Sequence, residues 1–234
     1  MRRAVYFAVI VATSLCLQAT YGHAQLSKEA VKIGVLADMS GLYSDLSGIG
    51  SVVAAQMAAE DFGGTVLGKK IEIISADHQN KPDIGANIAR NWIDRQGVDA
   101  IVDVPVSSIA LAVQQITKEK NRVLLISSSG SSDLTGKACS PVSVHWTYDT
   151  YALAQTAGKA IIEQGGDTWF FITADYAFGH ALERDTAAIV NAQGGRVLGS
   201  VRHPQDPPTF PRSCFRLKHP RQRSSDWRTL AAIP

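Results

Sequence analysis

The stretch that most constrains this chain is Val31 to Gly48, VKIGVLADMSGLYSDLSG. Val31, Ile33, Val35 and Leu36 form a near-continuous apolar run, the pattern of a strand buried on both faces. A polar turn with Ser40, Gly41 and Tyr43 follows, and the spacing predicts a helix from Gly48. A buried strand feeding a polar loop and then a helix is the opening unit of a parallel α/β sheet. Small-ligand sites in such sheets lie outside the carboxyl ends of the strands.

The unit recurs. A helix is expected over Gly48 to Phe62, with Ile49, Val52, Val53 and Met57 on its buried face and Gly63-Gly64 closing it. Ile71 to Ala76 reads as a second strand, Asp77 to Asp83 as its loop, and Ile84, Ile88 and Trp92 as the stripe of a helix ended by Gly97. Ala100 to Val104 is a third strand. Ile109, Val113 and Ile116 mark the next helix, and Arg122 to Ile126 a fourth strand before the serine loop Ser127 to Ser132. Cys139 to Asp149 breaks the order and reads as a crossing between two lobes. The pattern then resumes with helix Tyr151 to Gln164 (Leu153, Ala157, Ile161), strand Thr168 to Thr173, helix His180 to Gln193 (Leu182, Ile189, Val190) and strand Arg196 to Val201. Successive β-α units imply parallel sheets with helices on both faces.

The ends differ from this middle. Arg2 and Arg3, the apolar run Ala4 to Leu17 and the small residues before Ala24 make residues 1–24 a secretory signal peptide. The run is short for a membrane span. Leu15 beside Cys16 is bulkier than lipoprotein cleavage accepts, which argues against lipidation. With Arg2 and Arg3 set aside, 21 basic residues balance 21 acidic ones, so net charge gives no case for nucleic acid. Cys139 and Cys214 remain, too few to define a disulfide framework. Past Arg202 the chain turns basic, with Arg212, Arg216, Lys218, Arg221, Arg223 and Arg228, and from about Pro208 it shows no strand or helix period.

These motifs in order, VKIGVLADMSGLYSDLSG, ADHQNKP, VPVSS, the serine loop with SDLTG, and TADYAFG, resemble the substrate-binding proteins of branched-chain amino acid type ABC transporters, the type I periplasmic binding proteins. The resemblance covers about Val31 to Pro204. It implies a two-lobed α/β fold in which the lobes close on a small polar or carboxylate solute, such as an amino acid, without chemistry. It also implies a monomer in the periplasm that serves a permease and its ATPase and needs no cofactor or metal. On that pattern residues 25–140 form the first lobe, 141–150 the crossing, 151–204 part of a second lobe, and 205–234 an irregular basic tail. Ser107 and Ser108 stand where the family meets a ligand carboxylate, and Ser129 and Ser131 where it offers a second set of donors. Tyr176 closes from the second lobe, Asp149 and Tyr151 are neighbours at the crossing, and Tyr43 lines the mouth. The residues agree in kind: neutral hydroxyls and helix N-termini hold a carboxylate without burying a cation.

The same residues admit other roles. Ser107 and Ser108 also suit helix caps, the serine loop a plain turn, and Tyr176 with Phe178 edge packing. Asp77-His78 reads as a solvated loop rather than a metal pair. A serine hydrolase using His145 and Asp149 lacks a G-x-S-x-G elbow. A ligand-sensing module of the same fold would call for a membrane helix or signalling domain. Relatives of this family run longer than this chain, so the second lobe is expected to be incomplete, with one flank of its sheet open and solubility poor. The acidic group that holds a ligand's ammonium falls in the missing part, so ligand binding by this chain is expected to be weak or absent. The tail is expected to come from a shifted reading frame, because a one-base change in plausible codons for Ser224 to Pro234 restores an apolar strand running into a glycine-rich loop.

Overall fold

In a computed structural model of the chain, residues 29–205 are described in full and residues 229–233 as backbone. The signal peptide, Cys16, Cys214 and the basic residues of the tail beyond Gln205 lie outside the described residues.

The first lobe is a six-stranded sheet in the order β2-β3-β1-β4-β5-β6. Its strands are β1 (Ala30–Ala37), β2 (Thr65–Val66), β3 (Lys69–Asp77), β4 (Ala100–Asp103), β5 (Val123–Ile126) and β6 (Ser143–His145). All neighbours run parallel except the short hairpin of β2 on β3. The helices are α1 (Gly48–Asp61), α2 (Pro82–Asn91, continued by a wide turn through Gln96) and α3 (Ser107–Lys120). Leu36, Ile101, Leu124 and Ile126 pack against Ala86, Ala89, Ile109, Ala110 and Val113 of α2 and α3, forming the main core. The Trp92 ring lies so close over β1 that a Cβ on Gly34 would sit 2.5 Å from it, so only glycine fits that strand position. On the opposite face Val35, Ala37 and Val102 meet Val52 of α1.

The second lobe has the order β8-β7-β9, all parallel: β7 (Thr168–Ala174), β8 (Arg196–His203) and β9 (Thr229–Ile233). Its helices are α4 (Thr150–Leu153), α5 (Lys159–Glu163) and α6 (Ala177–Ala192), with a wide π turn, Ala154–Gly158, joining α4 to α5. Trp169, Phe171 and Val190 are its buried centre, with Ile162, Leu182 and Val197 packed around them.

Several sequence expectations are corrected here. Ile49, Val53 and Met57 of α1 are exposed, and Val52 is its buried large side chain. The α2 stripe turns Gly85, Ala86 and Ala89 fully inward, because small side chains let the helix approach the sheet, while Ile88 and Trp92 of the expected stripe also pack on the core and Ile84 is half-buried. In the joined helix of the second lobe Ala157 and Ile161 face solvent, while Ala154, Gly158 and Ile162 turn inward. The π turn inserts an extra residue and shifts the helical phase, which a regular 3.6 period cannot anticipate. Part of the expected crossing, Ser143–His145, is an edge strand of the first sheet. The segment after Pro208, expected to hold no strand, supplies β9 beside β7, and the second sheet still has three strands against the six of the first, which fits the incomplete second lobe expected.

Candidate functional site

The loops that follow β1, β4, β5, β6 and β7 converge on a cavity of about 150 Å³ between the lobes. It is lined by Tyr43 and Leu46, Pro105 and Ser107, Ser128 and Gly130, Tyr148, and Tyr176 and Phe178. A water takes about 30 Å³ of the liquid, so this space suits only a small solute. Its walls are largely aromatic, and among the described residues its polar lining groups are neutral.

Each lining group has a local cause. Asp38 is buried at the end of β1, and its carboxylate accepts from the N–H groups of Gly41 and Tyr43, both at 2.9 Å, which bends the loop and aims Tyr43 inward. The Tyr43 hydroxyl donates to the Tyr176 hydroxyl at 2.9 Å across the lobes, and Gln205 donates to Tyr43 at 3.1 Å. Burial, reinforced by the Tyr43 contact, pushes the Tyr176 phenol well above its ordinary range, so it stays protonated. Gly130 is a requirement of fit: a Cβ there would meet Phe178 at 2.8 Å and Tyr148 at 3.0 Å.

The polar floor rests on Asp103, a buried carboxylate at the end of β4. It accepts from Ser127 at 3.0 Å and Ser128 at 2.6 Å, and from Ser47 through its other oxygen. The loops after β1 and β5 are thereby tied to one carboxylate at the end of β4. Asp103 and Val104 both hold positive φ, 79° and 57°. A β-branched residue there costs on the order of 1–3 kcal/mol and persists only where its surroundings fix it. The fixing is visible, since the Val104 N–H donates to Leu36 and its carbonyl accepts from Ser129 at 2.5 Å.

The sequence-derived residues therefore separate. Tyr43, Ser107 and Tyr176 meet at the cavity. Ser108 sits beside it, its hydroxyl accepting from the Ala177 N–H at 3.2 Å and so joining α3 to α6. Ser129 and Ser131 are buried in the scaffold. The Ser129 hydroxyl is spent on Val104, and the Ser131 hydroxyl accepts from the Asp133 N–H. Asp149 caps α4 by accepting from Ala152 at 2.7 Å. Asp149 and Tyr151 border a separate, open cleft with Asp133, Lys137 and Arg184. Ser128, Tyr148 and Phe178 also line the cavity, and the sequence does not mark them as contacts. Ser128 is one of five serines in a single loop, and Tyr148 lies where no period marks its direction. His145 contacts the Ser129 carbonyl oxygen at 2.5 Å rather than a serine hydroxyl, so it forms no nucleophile pair there.

Asp77-His78 is also corrected. His78 is fully buried, and Asp38 joins the pair with donor atoms within 4.8 Å. Their atoms serve the loop: Asp77 accepts from Met39, Gln79 and Ser40, and the His78 Nδ1 accepts from the Asn80 N–H at 3.1 Å. Burial lowers the His78 pKa below 6.5, outweighing the attraction of Asp38, Asp77 and Asp103. Above pH 6.5 the imidazole is neutral folded or unfolded. Below it the unfolded chain takes a proton that the folded one refuses, so stability falls as pH falls. Unfolding free energies from urea titrations should decline as pH falls below about 6.5, by up to about 1.4 kcal/mol per pH unit, and His78→Gln should flatten that slope.

Two α/β lobes, their sheets parallel but for the β2–β3 hairpin, meet at a small cavity outside the carboxyl ends of their strands, the architecture of periplasmic binding proteins. The family model for periplasmic binding proteins matches residues 30–218, and the chain belongs to that family, whose members bind solutes rather than transform them. A periplasmic binding protein from Burkholderia mallei is 48% identical, with a TM-score of 0.82 over 89% of this chain and 54% of its own. A branched-chain amino acid ABC transporter periplasmic ligand-binding protein from Burkholderia xenovorans is 38% identical, with a TM-score of 0.65 over 80% of this chain and 50% of its own. A solute-binding protein of an ABC transporter from Rhodopseudomonas palustris, solved in complex with benzoate, shares the fold at 20% identity, with a TM-score of 0.70 over 80% of this chain and 52% of its own. The chain thus spans about half the length of these relatives.

Proposed function

We propose that this chain belongs to an exported solute-binding protein that presents a small carboxylate to an ABC transporter permease, and that its solute is an arenecarboxylate rather than an amino acid. The observation that carries this reading is the lining of the cavity. Four aromatic side chains, Tyr43, Tyr148, Tyr176 and Phe178, wall the cavity, and flat apolar faces with polar tips suit a ring that carries one carboxylate.

The donors suit that solute. Ser107 opens α3, whose first N–H groups have no intrahelical partner and face an anion favourably. The Ser107 hydroxyl accepts from the Ser131 N–H at 3.3 Å, which leaves its own proton free to give. The Tyr176 hydroxyl accepts from Tyr43, which leaves its proton free likewise. Ser128 has committed its proton to Asp103, so it offers lone pairs to a hydroxyl on the solute. Tyr43, Ser107, Ser128, Tyr148, Tyr176 and Phe178 are the assigned contacts, with Ser108, Ser129, Ser131 and Asp149 as support. Closure of the lobes is the binding step.

A thermal-shift panel of benzoate, 4-hydroxybenzoate and leucine on the purified chain tests this. At about a hundredfold its dissociation constant a bound solute adds about 2.7 kcal/mol of stability. Stabilisation by the benzoates with no response to leucine is expected. Stabilisation by leucine alone, or release of product from an aryl ester, would overturn the assignment.

A further inference from the structure

A second set of contacts joins the lobes, away from the cavity. The serine loop divides its residues between the two places. Ser128 and Gly130 line the cavity, while the Ser132 hydroxyl donates to the Asp185 Oδ2 of α6 at 2.6 Å. The crossing does the same, with Tyr148 on the cavity and the Thr150 hydroxyl donating to that carboxylate oxygen, also at 2.6 Å. α6 repeats the division. Phe178 and Asp185 stand seven residues apart, about two turns along one helical face, so the face that lays a ring on the cavity lays a carboxylate on the serine loop. Arg184 completes the cluster. Its guanidinium holds the other Asp185 oxygen at 2.9 Å, donates to the Ser132 hydroxyl at 2.8 Å and pairs with Asp133 of the first lobe at 2.9 Å. Lys137 holds the second Asp133 oxygen at 3.0 Å, so two cations balance two carboxylates.

We propose that Asp185 and Arg184 are positioning residues for solute binding: together they latch α6 to the serine loop, and salt loosens the latch. Neither lines the cavity. They act through α6, whose first turn carries Phe178 and directly follows Tyr176. The Ser132–Asp185 hydrogen bond and the Arg184–Asp133 pair both run from the first lobe to the second, so the lobes cannot part at this point without breaking them. The two parts differ in strength. The Asp185 and Asp133 side chains are 10% and 12% exposed, and hydrogen bonds to a carboxylate shielded from water are strong ones. Arg184 is 47% exposed and borders the open cleft with Lys137 and Tyr151, so dissolved ions reach it and compete for its pair. The inference rests on the closing of two lobes and holds for whichever solute they enclose.

Amide hydrogen exchange, followed by NMR on the purified chain, tests this. The Ala177 N–H reports on closure: at the start of α6 it has no intrahelical acceptor, and it donates to Ser108 across the lobes. Asp185→Asn should speed its exchange about tenfold, and Arg184→Met about threefold. Amides within β7, which open only when the lobe unfolds, should keep their rates. Raising salt from about 0.05 to about 0.5 M should speed Ala177 exchange in the unsubstituted chain and leave that of Arg184→Met in place. Arg184→Lys should restore part of the protection, and Asp133→Asn added to Arg184→Met should cost little more than either alone. Ala177 protection unmoved by Asp185→Asn and Arg184→Met would overturn the proposal. So would exchange that rises equally at Ala177 and within β7, which assigns the cluster to the stability of the second lobe, or a salt response that survives Arg184→Met.

Discussion

Gly179→Ala is expected to unfold the second lobe. Gly179 lies in the first turn of α6, and a Cβ there would overlap the backbone carbonyl of Ala174 at the end of β7. That carbonyl already accepts from the Tyr176 N–H at 2.9 Å, so it cannot swing away without releasing the loop that carries Tyr176. The obstacle is backbone rather than the far end of a flexible side chain, so relaxation means moving α6 off the sheet. Misfitting atoms in packed interiors cost about 1–3 kcal/mol, and more where backbone must shift. The second lobe has a small buried centre of Trp169, Phe171 and Val190 with which to resist this. Circular dichroism should show loss of helix, and limited proteolysis should cut between Tyr151 and His203 while the first lobe survives.

Asp103→Ala is expected to have the next largest effect, on stability and binding together. Three hydroxyls, from Ser47, Ser127 and Ser128, lose one shared acceptor. Ser47 is buried, and leaving its hydroxyl unsatisfied costs about 1–3 kcal/mol, whereas the exposed Ser127 can turn to water. Alanine must also hold the positive φ of 79°, which adds about 1 kcal/mol that asparagine, tolerant of left-handed backbone, largely avoids. A loss of about 3 kcal/mol for alanine, and about half of that for asparagine, is expected in urea unfolding. Because Ser128 sits on the cavity wall, solute affinity should fall at least tenfold in both variants.

Much of the fold was legible because parallel strands announce themselves. The runs at Val31, Ala100 and Thr168 have no other structural use than burial on two faces, and the polar loops after them had to gather at one rim. What stayed hidden depends on neighbours distant in sequence. β2 and β6 are two and three residues long and exist only as partners of β3 and β5. The buried face of α1 could not be read because its apolar residues outnumber the positions the sheet covers. In the serine loop, Ser128 and Ser129 look alike in sequence. One reaches Asp103 at the cavity and the other turns to Val104 beneath it, a choice made by strand register. Asp103 itself hid at the end of an apolar strand. Asp149 and Tyr151 followed the cavity in sequence but not in space, since the start of α4 turns them to the cleft beside Arg184.

The central claim is that one small carboxylate is held from both lobes at once. Calorimetric titration with 4-hydroxybenzoate, using the chain, Ser107→Val and Tyr176→Ala, tests it most directly. One-to-one binding with a dissociation constant below about 1 mM, near −4.1 kcal/mol, is expected, weakened at least tenfold by each variant although the two residues stand on different lobes. Affinity untouched by Tyr176→Ala, or no saturable binding of any carboxylate, would contradict it.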